Sequence, residues 1–159
     1  NLQSPQLLDQ IKGLLSTWGV APSRLRLEIT ESILMADPAH AMKILTQLTS
    51  LGIRFSIDDF GTGYSSLGYL QRLPVDEIKI DKSFVMGMTT DKSKTIIVHS
   101  IIDLSHHLGL KVVAEGVENK EVMDRLVSLG CDAAQGYFIS KPITGTEFTN
   151  WLKEAQYKQ

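Results

Sequence analysis

Two adjacent aspartates, Asp58 and Asp59, end a short apolar run and lead into a loop carrying Gly61 and Gly63. Side by side, two carboxylates repel each other unless a cation sits between them. Hard divalent ions such as Mg²⁺ and Mn²⁺ use this oxygen-rich ligand set. Glu28, Lys79 and Glu115 stand at the ends of other short apolar segments. If those segments are parallel strands, Glu28, Asp58, Asp59 and Glu115 meet on one rim. The adjacent Asp58 and Asp59 could then serve two ions, one carboxylate bridging and one terminal. Two ions about 3.5–4 Å apart suit attack on a phosphodiester. Lys79 on the same rim would orient the attacking water or stabilise the transition state. Each residue also has a plainer role open to it: Asp58 as a helix cap, Glu28 as a surface strand residue, Lys79 as a solvated strand end. Asp81 and Glu118 suit hydrogen-bonded struts as well as ligands, and Gln135 could simply pair with backbone. The glycine loop would cradle a phosphate, although that pattern alone is weakly specific.

Elements must hold such a rim in place, and their order is legible. Leu25 to Ile29, Phe55 to Ile57, Glu77 to Ile80, Lys111 to Ala114 and Ala133 to Phe138 read as strands. Helical patterns separate them. Asp37-Pro38 offers an N-cap with proline at the first helical position, followed by a stripe of Ala41, Leu45, Leu48 and Leu51 and a stop at Gly52. Asp91 opens a longer helix with the stripe Ile97, Ile101, Leu104 and Leu108, ending at Gly109. Asn119 opens another, with Val122, Leu126 and Leu129 inward and Gly130 at its end. Leu7 to Trp18, ended by Gly19, repeats the unit. Strand and helix in steady alternation predict an α/β fold with a parallel sheet.

Strand side chains alternate faces, so each strand packs one face on helices and delivers a polar group from the other. Polar groups at five successive strand ends suit a (β/α)8 TIM-like barrel, whose functional rim lies there, better than an open doubly wound sheet. A barrel takes about 250 residues. The 159 residues, opening at Asn1, are therefore expected to form the C-terminal part of a single barrel domain, residues 1–159, truncated at its N-terminal side. Exposed sheet edges would make such a piece self-associate.

Composition narrows the classes. Hydrophobic residues make up 43% and charged residues 21%, as in ordinary globular chains. A net charge of -2 without a basic block disfavours a DNA or RNA polymer as partner. The single Cys131 excludes an internal disulfide and a cysteine zinc site. No apolar run is long enough to span a bilayer, so the expected location is the cytoplasm or the cytoplasmic part of a membrane-anchored protein. His40, His99, His106 and His107 read as surface or packing residues on helices, and Trp18 and Trp151 as helix packing.

The segments "LEITES", "IDDFGTGYSSL", "IKIDKSFV", "VVAEGVE" and "QGYFISKP" occur in this order. Together they closely resemble the EAL-domain family of bacterial cyclic di-GMP phosphodiesterases, over essentially the whole chain. The resemblance implies hydrolysis of cyclic di-GMP to linear pGpG with two Mg²⁺ or Mn²⁺ ions. It places Asn1, Glu28, Asp58, Asp59 and Glu115 as metal ligands, with Asp58 shared between the ions. Lys79 takes the position of a lysine on the attacking water, Glu115 that of a ligand or base, and Glu118 that of its catalytic partner. Glu31 would steady the loop after the aspartates, the loop Phe60 to Leu67 would link the site to a homodimer interface, and Gln135 and Asp81 would support the substrate side. Gln3 departs from the family's usual serine, and the glutamate-alanine-leucine signature, whose glutamate is another metal ligand, does not occur in the 159 residues. The resemblance therefore also predicts impaired activity for this piece alone and an upstream sensory or cyclase domain in the parent. The alternatives are a receptor that binds cyclic di-GMP without cutting it and a dimerisation module.

Overall fold

A computed structural model describes residues 6–63 and 67–156. Helix α1 (Leu7–Trp18) ends at Gly19, whose left-handed φ of 61° closes the last turn. A 3-10 turn (Pro22–Arg24) leads to strand β1 (Arg26–Thr30). Then follow α2 (Glu31–Ala36), α3 (Pro38–Thr49), β2 (Arg54–Phe60), α4 (Leu67–Leu70), β3 (Glu77–Ile80), α5 (Lys82–Val85), α6 (Lys92–His107), β4 (Lys111–Ala114), α7 (Lys120–Ser128), β5 (Ala133–Ala134) and α8 (Gly145–Gln156).

The strands form one parallel sheet in the order β1-β2-β3-β4-β5, so each strand lies beside its neighbour in sequence. The order never reverses. A doubly wound sheet needs such a reversal, whereas a barrel sector does not. The sheet is the five-strand sector of a (β/α)8 barrel that the polar strand ends predict.

Expected caps are in place. Asp37 accepts from the His40 amide, Asp91 from the Ser93 and Lys94 amides, and Asn119 from the Val122 amide. Each satisfies helix-start donors that would otherwise lack partners. Ala41, Leu45 and Leu48 of α3 pack on the sheet with Val122 and Leu126 of α7. Helix α6 differs from its predicted stripe by one position. Its buried face is Val98, Ile101, Ile102 and Ser105, while Ile97 is 38% exposed. Ser105 donates to the Ile101 carbonyl, which lets a polar residue sit at the contact. The helix-facing sheet side is Phe55, Ile57, Ile78, Ile80, Val112 and Ala114, all buried.

Strand β5 is far shorter than Ala133 to Phe138. The Gln135 amide still donates to the Ala114 carbonyl at 2.8 Å and the Val117 amide to the Gln135 carbonyl at 3.1 Å. The regular ladder ends before Gly136, where a Cβ would lie 2.2 Å from the Val117 oxygen, although the Phe138 amide still donates to the Val117 carbonyl at 3.0 Å. The chain there turns, with Ile139 and Ser140 amides both donating to the Gly136 carbonyl. Tyr137 and Phe138 are left exposed. Trp18 is also exposed, at 76%, so it does not pack as its helix predicts; Trp151 stacks on Phe148 with ring centroids 6.0 Å apart.

At the opposite end of the sheet from the strand tips, Asp132 ties three elements together. It accepts from the Val112 amide and the Lys111 ammonium and pairs with His106 Nε2 at 2.8 Å. Burial opposes ionisation, but the Lys111, His106 and Val112 contacts hold its carboxyl at about 2. A depressed carboxyl pKa stabilises the fold above the ordinary value, near 3.8, and loses that contribution as pH falls toward 2. Asp132→Asn is expected to cost about 1 kcal/mol at pH 7, a value reduced by the solvent around Lys111. Urea midpoints at pH 7 and pH 2.5 check it: the gap between wild type and variant narrows in acid.

Candidate active site

Parallel register brings the polar strand residues level. Glu28 pairs with Ser56, Ser56 with Glu77, Thr30 with Asp58 and Lys79 with Val113. These positions share the sheet face away from the helices. Deeper on that face, Arg26 forms an ion pair with Glu77. Above it, the Lys79 ammonium reaches three carboxylates: Glu28 Oε2 at 2.9 Å, Asp58 Oδ1 at 3.0 Å and Glu115 Oε1 at 2.7 Å. Lys79 is 5% exposed. Burial alone would lower its pKa, but the close contacts with the Glu115, Glu28 and Asp58 carboxylates outweigh it and raise the group well above its ordinary value. Its contribution to stability is therefore complete below about pH 10.5 and is lost only as pH rises through the elevated folded value.

The aspartate pair is placed by a β-bulge. Ile57 pairs with Ile78, but the next pairing along the strands is Phe60 with Ile80. Three residue steps on β2 therefore match two on β3. Asp59 is the extra residue, with a left-handed φ of 53° that aspartate tolerates better than most side chains. Strict alternation would send Asp58 and Asp59 to opposite faces. The bulge returns Asp59 to the same site, so that oxygens of Asp58, Asp59 and Glu115 lie within 4.8 Å of one another. Burial, then Asp58 and Asp81, push the Asp59 carboxyl above its ordinary pKa against the pull of Lys79 and Lys82.

This donor set fits divalent ions. It consists of hard carboxylate oxygens alone. Asp58 Oδ1 is buried and receives no well-directed hydrogen bond, its 3.0 Å contact with Lys79 being an off-axis ion pair. Such an atom is costly unless a further cation satisfies it.

The loop after Asp59 is held from below. Glu31, 2% exposed at the start of α2, accepts from the Gly61 amide at 3.1 Å and the Gly63 amide at 3.0 Å with one oxygen, Oε2. A Cβ on Gly63 would stand 2.9 Å from the Glu31 carboxyl carbon, so the close approach needs glycine. Glu31→Ala is expected to free the loop and lower turnover about 100-fold, the scale of a small misplacement of reacting groups. Steady-state kinetics check it, with circular dichroism confirming that the variant is folded.

On the other side of Glu115, a cleft of about 500 Å³ is lined by Lys82, Met86, Glu115, Glu118, Gln135 and Tyr137, among others. It shares Glu115 with the carboxylate cluster.

Residues 1–142 match the family model of the EAL domain. The chain belongs to the EAL-domain family. Among its relatives is the bifunctional diguanylate cyclase/cyclic di-GMP phosphodiesterase MucR of Pseudomonas aeruginosa. It is 44% identical over 137 residues, which are 86% of this chain and 20% of MucR. The chain thus spans about a fifth of that relative's length. The MucR phosphodiesterase solved in complex with c-di-GMP superposes with a TM-score of 0.90 at 41% identity, over 92% of this chain and 60% of that one. The Klebsiella pneumoniae protein BlrP1, solved with manganese and cyclic di-GMP, superposes with a TM-score of 0.82 at 34% identity, over 88% of this chain and 36% of that one.

In this EAL-domain chain, Lys79, Asp58, Asp59 and Glu115 come together as expected of one site. Glu28 joins through Lys79 but lies outside the three-carboxylate cluster, and its side chain is 51% exposed. Glu31 sits under the glycine loop. Asp81 is a strut: its Oδ1 accepts from the Ser83 amide and caps α5. Glu118 is exposed at the cleft, and Gln135 lines it while its backbone continues the sheet. Asn1 and the middle of the Phe60 to Leu67 loop lie outside the described residues. Among the described residues, no helix is long and apolar enough to cross a membrane. Sequence reasoning missed α2, α4, α5 and the bulge, all too short for a periodic signal. The glycine at 116 was a usable sign of close packing. It has φ 72°, and a Cβ there would lie 2.6 Å from Lys82 Cβ.

Proposed function

We propose that the parent protein hydrolyses cyclic di-GMP to linear pGpG at this site, with two Mg²⁺ or Mn²⁺ ions. The observation that carries the reading is the convergence of Asp58, Asp59 and Glu115 beside the buried Lys79 ammonium. The relatives' cyclic di-GMP complexes and the manganese in BlrP1 support the choice of substrate and metal.

Asp58, Asp59 and Glu115 would hold the ions, with Glu28 and Asn1 completing the set. Bound ions supply charge neutralisation at the phosphodiester and a more acidic water. Lys79 donates into the centre of the site, where it orients the water and offsets charge gathering on the phosphoryl oxygens. Glu115 is placed to accept a proton, being both a cluster member and a Lys79 partner. The bulge turns Asp59 onto the face that carries Asp58, so that both carboxylates would be available to the ions. Glu31 keeps the following loop from swinging into the site. The cleft beside Glu115 gives the dinucleotide room next to the scissile bond.

The test is metal removal. Purified full-length protein is expected to convert cyclic di-GMP to pGpG, to stop after EDTA, and to recover with Mn²⁺ or Mg²⁺, as read by product chromatography. Binding without any product at saturating Mn²⁺ would instead make it a receptor.

A further inference from the structure

Helix α5 is a single four-residue turn, yet it packs against both loops that follow the cluster carboxylates. It begins three residues after Lys79 on the same chain. Its Phe84 ring lies against Gly61, where a Cβ would come within 2.9 Å of Phe84 Cε2. Its Lys82 Cβ and the adjoining Met86 Cγ lie against Gly116, where a Cβ would come within 2.6 and 3.5 Å of them. Gly61 follows the aspartate pair, and Gly116 follows Glu115. Both glycines have left-handed φ, 100° and 72°, so neither loop can back away by adding a side chain. The turn is thus wedged between the two loops that carry the carboxylates.

So short a turn cannot hold itself. Helix ends leave carbonyls without partners, and a single turn is nearly all end. Asp81 satisfies its start through the Ser83 amide. Its other end depends on α6. Lys94 Nζ donates to the Ser83 carbonyl at 2.7 Å and to the Met86 carbonyl at 2.9 Å. A cation there also suits the negative end of the turn. Lys94 touches no carboxylate of the cluster among its described hydrogen bonds and ion pairs.

We infer that Lys94 is a positioning residue for the carboxylate site: by pinning the far end of α5, it holds Phe84 against the Gly61 loop and Lys82 against Gly116. This rests on the metal-site reading above, though its first readout does not. Amide hydrogen exchange of metal-free full-length protein is compared for wild type, Lys94→Met and Lys94→Arg. In Lys94→Met, peptides covering 58–63 and 114–118 are expected to exchange at least about fivefold faster, while β1 and α7 stay as in wild type. Lys94→Arg, whose fork can reach both carbonyls, restores most of the protection. Where the enzyme is active, kcat falls about tenfold in Lys94→Met with KM little changed, and Arg recovers it. Unchanged exchange in both peptides overturns the inference. So does faster exchange spread evenly over the domain, or equal loss in Met and Arg variants. If wild type shows no hydrolysis, the phosphodiesterase reading falls while the exchange result still decides the role of Lys94.

Discussion

Replacement of Asp58 by Asn is expected to lower hydrolysis by about 10³-fold while leaving the fold intact. The substitution preserves shape and removes one negative charge from the centre of the cluster. Asp58 is the residue with most to lose: it borders Asp59, contacts Lys79 at 3.0 Å, and shares the cluster with Glu115. An amide offers one neutral oxygen in place of an anionic pair, which weakens hard-cation binding. Loss of a group that organises charge at the reacting centre costs about 10²–10³ in rate. If Asp58 is shared by two ions as proposed, its loss should reach the upper end of that range. Initial rates with saturating Mn²⁺, and Mn²⁺ titration by calorimetry, measure it. Turnover within threefold of wild type would remove Asp58 from the metal site.

Lys79→Met gives the second large effect, and its two parts separate chemistry from structure. Turnover should fall on the same scale if Lys79 orients the water as proposed, because that donor is then gone. Stability should fall as well. In wild type without metal, Lys79 is the cation that keeps Glu28, Asp58 and Glu115 together. Removing one member of a buried ion cluster costs about 3–5 kcal/mol. Glu28 is half exposed and Glu115 partly so, which lets water relieve part of the repulsion and brings the expected loss down to about 2 kcal/mol. Added Mn²⁺ should return more of the midpoint to the variant than it adds to wild type, since it supplies the missing positive charge. Urea denaturation in EDTA and in Mn²⁺ gives both numbers. Equal destabilisation in the two buffers would show that the lysine and the metal do not share a task.

Much of this arrangement is legible in the residues. Ile78 and Ile80 against Lys79 announce which face of β3 meets helices, although Lys79 is buried as well, on the opposite face among its carboxylate partners. The capping side chains of Asp37, Asp91 and Asn119 mark helix starts to the residue. Patterns fail where a contact from a distant segment decides the backbone. Tyr137 and Phe138 favour strand, but Gly136 presses on Val117 and the chain turns there, leaving the Phe138 amide a single bond to the Val117 carbonyl instead of a continued ladder. Ile97 fits a helical stripe as well as Val98 does; only the angle at which α6 lies on the sheet chooses between them. The carboxylate site is visible as a set of residue types. Its means of assembly is not, because a left-handed aspartate looks like any other aspartate in sequence.

The bulge at Asp59 also constrains how this protein can change. Removing one of the two acidic residues by deletion would not produce a chain with a single ligand. Strand β2 would regain strict alternation, and everything downstream would advance one step against β3. The oxygen of Glu31 would then face a different pair of amides, and Phe84 a residue other than the glycine that admits it. Substitution is open to this site, but a change in chain length is not: the loop's grip and the acidic pair are counted from the same residue.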